Sequence, residues 1–271
     1  MERTMMEGSD RVVSPHHSVI EHLRKAYPER ASKCIVLPHT VDPDELGGPS
    51  GTRTDDEFRS IYAGSLYGAR EADAYFEEVL KAFLALREQT PECYRRARLD
   101  LYITWTDTRA YQQRVAQVGL QDHIRFHEPL PPNEIAELIR RSDAILVFIP
   151  SFNKDLLGTK FTEIFHLRCP VIHVGERGDV SDHILKHDLG ISLAVSEVST
   201  ELPRIMRGDR VVTIDPHHDL SAHMLGHITT QLERENPEDD RMTLQRTCAL
   251  QVPDPPISVP PTCGTRPGSP A

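Results

Sequence analysis

Residues 144–174 read AILVFIPSFNKDLLGTKFTEIFHLRCPVIHV. Ala144 to Ile149 is wholly apolar and rich in β-formers, and Pro170 to Val174 resembles it. Such runs suit strands of a parallel sheet covered on both faces. Between them, Thr159 to Leu167 has helical periodicity, with Phe161, Ile164 and Phe165 on one face and Lys160 and Glu163 on another. The stretch therefore outlines a β-α-β unit. A lysine in the first turn opposes the helix macrodipole, and Lys before Glu is the weaker order for an ion pair. Locally unfavourable choices of this kind mark functional positions. A helix N-terminus that carries a cation and follows the carboxyl end of a strand suits an anion. The same residues also suit a solvated face with a surface charge pair, and the pattern leaves both readings open.

Outward from this stretch the alternation continues. Strands are expected at Arg59 to Ala63, Leu99 to Thr104 and His123 to Phe126, and helices at Arg109 to Val118 and Asn133 to Arg141. A long amphipathic helix follows the first strand, with Phe76, Val79, Leu80, Phe83 and Leu86 at helical spacing. This order predicts an α/β fold with a doubly wound parallel sheet. After Val174 come a Gly-flanked loop, a helix and a further strand, and Val211 to Ile214 with a helix from about Asp219 to Glu235 complete the folded part. Upstream, a strand near Arg11 to Ser14, a helix from about His16 to Tyr27 and a strand at Cys34 to Leu37 precede GGPSGTRTDD, a linker composition. From Asn236 the chain turns polar and then Pro-rich, as extended or disordered tails do. The expected division is 1–46, a linker at 47–57, a main domain at 58–235 and a tail at 236–271.

Asp155, seven residues and Glu163, followed by an aromatic residue and a Pro-led strand, resembles the nucleotide-sugar signature of retaining GT-B glycosyltransferases of the group 1 type. The fragment GTKFTEIFHLRCPVI is similar to their TKxxEYxxxGxPVI segment, with Cys169 in place of the usual Gly. The resemblance covers about Asp10 to Glu235. It implies that residues 58–235 form the Rossmann-like donor half of the GT-B fold. It also implies that residues 1–46 are a remnant of an acceptor domain that is otherwise missing. By the same resemblance Glu163 holds the donor's ribose hydroxyls and Asp155 lies near the donor sugar, so these two are the catalytic candidates. Gly64 matches a phosphate-loop glycine and Arg70 a phosphate cation, while Ser65 replaces a second cation. The loop from Phe126 to Leu130, with Glu128 for a common Gly, meets the nucleobase through its backbone. Gly175 and Gly178 resemble a turn near the donor phosphates. Gly64, Arg70, Phe126, Lys160 and Glu163 are thus the donor-binding candidates.

The implied activity is transfer of a sugar from a nucleotide-diphospho-sugar, with UDP the expected nucleotide, with retention and without a metal or other cofactor. Departure of the diphosphate builds negative charge that a helix N-terminus, Lys160 and Arg70 would stabilise. The chain is expected to be incomplete alone, either as a truncated gene product or as one that completes its site with a separate acceptor-domain subunit. The alternative is a non-catalytic nucleotide-binding or scaffold module, which Ser65, Asp155 and Glu128 favour. GSLYG is not the G-x-G-x-x-G of dinucleotide enzymes.

Composition narrows the partners. Lys plus Arg number 31 against 41 Asp plus Glu, a net charge of −10, which argues against a nucleic-acid-binding face. The five cysteines, Cys34, Cys93, Cys169, Cys248 and Cys263, are odd in number and scattered, as reduced thiols in a cytoplasmic protein are. No apolar run approaches the roughly 18 residues of a membrane span, which leaves peripheral membrane contact open. His183 and His187 stand at i, i+4 without an evident third ligand, and a packing role is expected for them and for the pairs His16–His17 and His217–His218. Trp105, the single tryptophan, falls in a post-strand loop, where packing in the core or at a rim is expected and lining of the pocket is the alternative.

Overall fold

Strands that are apolar on both faces must lie inside a two-sided sheet, and that is where the central runs go. The computed structural model describes residues 2–47, 55–66, 69–215 and 217–235. The expected tail at 236–271, most of the expected linker, Cys248 and Cys263 lie outside these residues. In chain order the elements are α1 (Glu2–Gly8), β1 (Val12–Ser14), α2 (His17–Ala26), β2 (Cys34–Val36), β3 (Phe58–Gly64), α3 (Ala69–Gln89), α4 (Pro91–Arg96), β4 (Ala97–Ile103), α5 (Arg109–Gln117), β5 (Ile124–His127), α6 (Pro132–Arg140), β6 (Ala144–Ile149), α7 (Thr159–Leu167), β7 (Val171–Gly175), α8 (Asp179–Lys186), β8 (Gly190–Leu193), α9 (Val198–Arg207) and α10 (Leu225–Glu235). Met1–Thr229 form one compact unit and Thr230–Ala271 a second, of which the described part is the end of α10.

Six parallel strands stand in the order β5-β4-β3-β6-β7-β8. This is the doubly wound sheet expected from the alternation. Alternate side chains of each strand enter two different cores. On one face Tyr62, Leu101, Leu146 and Val174 pack with Phe76, Val79 and Phe83 of α3 and with Leu202 and Ile205 of α9. On the other, Ile61, Ile145, Val147 and Val171 pack with Ile139 of α6, Phe161 and Phe165 of α7, and Ile184 of α8. β1 and β2 form a separate parallel pair, with Met6, Val12, Ile20, Leu23 and Cys34 as its own small core.

The apolar run Val211 to Ile214 is irregular, with Val211 exposed and Val212 packed against the core that α3 and α9 share. One boundary differs from expectation. The last helix begins at Leu225 rather than near Asp219, since Ser221–His223 form a short 3-10 turn first. Among the described residues no helix is long and apolar enough to cross a membrane.

The turn after α8 and the 217–223 segment bring four imidazoles together. His183 lies 4.5 Å from His187, 6.1 Å from His218 and 6.5 Å from His223, centroid to centroid. Phe165 stacks on His183 at 5.1 Å, so the buried face of α7 rests on this cluster. Arg168 ends α7 in a left-handed conformation and donates to the carbonyls of Asp215 and His218. Burial and the neighbouring imidazoles and Lys186 hold His183 down to about 4. Burial also lowers His187 and His218, with Asp188 and Asp215 opposing. Among the described residues no group of three or more His, Cys, Asp or Glu side chains could hold a metal ion. Between the ordinary imidazole value and about 4 the unfolded chain binds more protons than the folded one, so stability falls as pH drops through that window. We expect urea midpoints to fall from pH 7 to pH 4.5, and His183→Phe, which keeps the stack on Phe165, to lessen that fall. An unchanged pH slope in His183→Phe would refute the assignment.

Candidate functional site

The sheet reverses its order between β3 and β6, and ligands of open α/β sheets bind at such a point beyond the carboxyl ends of the strands. Here the two strands also part. At their amino ends Asp143 accepts from the Arg59 backbone N–H at 2.7 Å and donates its own to the Arg59 carbonyl at 2.8 Å. The ladder pairs Ser60 with Ala144 and Ile61 with Ile145 and goes no further, although β3 runs to Gly64 and β6 to Ile149. Side chains bridge the notch. Tyr75 of α3 stacks on Phe148 of β6 at 5.0 Å, and Lys160 of α7 extends its ammonium under Gly64 to 5.2 Å from the centre of the Tyr62 ring.

Beside the notch opens a cleft of about 310 Å³. Its floor is Gly64 and Thr104, its apolar walls include Tyr102, Leu130, Ile135 and Ile139, and Lys160 and Glu163 stand on its α7 side. A second cavity, near Phe58 and Ala144, is at the amino ends of the strands, the wrong end for such a ligand. α7 lines the cleft with Lys160, Glu163, Ile164 and Leu167, and it starts at a Gly158 cap that no side-chain hydrogen bond completes, as an anion-binding helix start requires.

The electrostatics of the pair follow from the apolar walls. Lys160 is partly buried, and desolvation of its ammonium brings its pKa down to about 8, against the pull of Glu163. Glu163 is exposed, yet apolar surroundings and Glu45 raise it, with Lys160 opposing. Among the described residues no direct ion pair joins the two. The expected charge pair therefore does not close on itself, and both groups face the cleft.

Of the expected residues, the structure brings Gly64, Lys160 and Glu163 together and leaves three outside. Phe126 lies on the other face of the sheet, packed 6.1 Å from Phe76, because its place in β5 points it at α3. The loop beyond it does reach the cleft, through Pro129 and Leu130. Arg70 is exposed on the first turn of α3, where no packing fixes its guanidinium in the cleft. Asp155 does not line the cleft, since its carboxylate accepts the Asp179 N–H at 3.2 Å and caps α8. The close approach of Gly178 serves this cap, for any larger residue would strike Asp155 and the Lys154 carbonyl.

Other residues carry the site without a motif to announce them. Glu71 receives the N–H and hydroxyl of Ser151 at 2.8 and 2.7 Å, which ties α3 to the loop after β6 and lowers the carboxyl's pKa. Ser65 shares a hydrogen bond with Thr104 at 2.9 Å. Arg140 donates to the carbonyls of Leu46 and Gly47, which seats Leu46 as a wall of the cleft.

With the switch-point cleft in place, solved structures can be compared. The pneumococcal O-GlcNAc transferase GtfA in complex with UDP and GlcNAc superposes with a TM-score of 0.62 at 12% identity, over 87% of this chain and 47% of that one. The chain has the Rossmann-like fold of GT-B glycosyltransferases. Sucrose-phosphate synthase from Thermosynechococcus elongatus gives 0.59 at 18% identity, over 91% and 60%. The lipopolysaccharide outer core galactosyltransferase WaaB gives 0.55 at 14%, over 84% and 61%. The chain thus spans about half to three fifths of these proteins. No family model and no curated protein sequence matches it.

The contact between Gly64 and Lys160 is testable by a cycle. Gly64 has φ +136, and a methyl group there would strike the Lys160 ammonium. Gly64→Ala should destabilise the protein by about 1–3 kcal/mol, and by less in a Lys160→Ala background, since the collision partner is then gone. Equal losses in the two backgrounds, measured by urea unfolding, would show that the ammonium is elsewhere.

Proposed function

We propose that the cleft binds a nucleotide-diphospho-sugar and that the chain is the donor-binding part of a glycosyltransferase. The observation that carries this reading is the convergence of Lys160, from the first turn of α7, and Glu163 on one largely apolar cleft at the switch point. A nucleobase is flat and mostly apolar, and Tyr102, Pro129 and Leu130 offer it such walls. Glu163, exposed at the rim of the same cleft, accepts the paired ribose hydroxyls. The diphosphate lies between the α7 N–H groups and Lys160, and these stabilise the charge that grows on its bridging oxygen as the sugar departs. Transfer with retention, without a metal, and with UDP as the nucleotide is part of this reading. The structural neighbours crystallised with UDP support the last point.

In this reading Asp155 acts on the donor sugar indirectly, by fixing the first turn of α8 through its cap. The acceptor comes from a second subunit or further chain, with the β1-α2-β2 unit as the edge of that acceptor half. A second reading, a nucleotide-binding module without catalysis, draws on the same cap, since the acid expected near the sugar is occupied.

Calorimetry with UDP, GDP, ADP and UDP-sugars decides between these and neither. UDP should bind, and Glu163→Ala should weaken it about tenfold or more, as loss of hydrogen bonds to a charged group does. Affinity for the diphosphate should fall as pH rises through 8, where Lys160 loses its proton, and Lys160→Ala should abolish that dependence. For the ligand-free protein the sign is opposite. Between about 8 and the ordinary lysine value the unfolded chain binds more protons, so stability rises with pH. Absence of nucleotide binding, or binding untouched by Glu163→Ala, would end the donor reading. Binding without turnover when an acceptor-binding subunit is supplied would leave the non-catalytic one.

A further inference from the structure

Trp105 does not pack in the core. It is 95% exposed and sits at φ +58, a left-handed conformation that bulky side chains rarely adopt. A turn needing that conformation ordinarily takes Gly or Asn. Here the chain carries its single tryptophan instead, with almost none of the indole buried in return. Strain retained without packing return points to a use outside the fold.

The indole stands at a cavity of about 460 Å³ beyond the carboxyl ends of β4 and β5. Unlike the donor cleft, this cavity is walled by polar groups, among them Thr106, Thr108, Gln112, His127 and Glu128. The Gln112 amide nitrogen donates to the Thr108 hydroxyl at 3.0 Å, which leaves the amide oxygen free to accept. His127 is held from behind by Asp100 at 2.6 Å and stacks at 4.7 Å on Tyr102, a wall of the donor cleft. Thr104 and Pro129 line both spaces, so the two sites adjoin.

We propose that this cavity is a carbohydrate subsite, in which the Trp105 indole stacks against a sugar ring and the surrounding hydroxyl, amide and carboxylate groups take its hydroxyls. A pyranose has one apolar C–H face and a rim of groups that both donate and accept, which matches one aromatic plane set among Thr, Gln and Glu. Among the described residues no Lys or Arg lines the cavity and Glu128 does, which disfavours a phosphorylated ligand. A nucleobase could use the indole, but it would bring its phosphates to that carboxylate. The subsite does not depend on the donor reading.

Because Trp105 is the only tryptophan, intrinsic fluorescence reports on this cavity. The full chain is titrated with maltotetraose, cellotetraose, chitotetraose and β-1,4-galactotetraose at millimolar concentrations, and separately with UDP. At least one tetrasaccharide should give a saturable quench and blue shift, retained in Glu163→Ala and weakened several-fold in Gln112→Ala. Trp105→Gly relieves the left-handed strain, so it should melt no lower than wild type while losing saturation transfer to the sugar protons in NMR. No saturable change with any tetrasaccharide, transfer that survives in Trp105→Gly, or a response to UDP alone would each overturn the proposal. Survival of glycan binding in Glu163→Ala separates its fate from that of the donor site.

Discussion

The structure depends on a gap in one strand ladder. A parallel sheet gains a hydrogen-bonded pair at each step along two strands, yet β3 and β6 stop pairing at Ile61 and Ile145. What fills the gap is an ammonium, not backbone. Lys160 reaches it from the first turn of α7, and Gly64 is the one residue type that leaves it room. Nothing in the local preferences of α7 asks for a cation there, since the helix dipole disfavours it. The sheet topology asks for it, because the switch point leaves the carboxyl ends of two strands with no crossover to cover them.

Once that gap exists, the segments around it must be held by side chains. Glu71 clasps Ser151 from α3, Asp155 caps α8, and Arg140 binds the carbonyls of Leu46 and Gly47. Each of these charges is spent on backbone or hydroxyl groups of a different element. The result is a cleft whose frame consumes its charged neighbours while, among the described residues, no ion pair joins Lys160 and Glu163. Phe165 and the neutral imidazoles beneath it fix the opposite face of α7, so the two side chains project from a helix that does not turn.

Much of this was legible in the sequence because periodicity reports burial. Ala144 to Ile149 and the α3 face from Phe76 to Leu86 announce their layers, and the sheet elements fall within two residues of their expected ends. α9 was hidden, since Pro203 inside it removes an N–H donor and reads as a helix breaker. The candidate site was legible only where its residues share one helix, as Lys160 and Glu163 do. Glu71 with Ser151 and Arg140 with Leu46 are separated by dozens of residues and act through single hydrogen bonds, which leave no periodic trace. Asp155 shows what spacing leaves open: its interval to Glu163 suits one site, and the loop between them turns its carboxylate to the Asp179 N–H of α8.

The depressed Lys160 pKa bears on how strongly such a cleft can hold a diphosphate. A solvated lysine must shed its water when an anion arrives, and that cost offsets most of the Coulomb gain. Lys160 has incurred the cost on folding, as its pKa of about 8 records. An anion reaching it therefore meets a cation already partly desolvated, where the attraction is larger than at the open surface. Glu163, raised in pKa by the same apolar walls, lies one helical turn away and does not quench that charge. In the proposed reading, a partly desolvated cation and an exposed carboxylate kept apart suit a ligand with phosphate at one end and hydroxyls at the other.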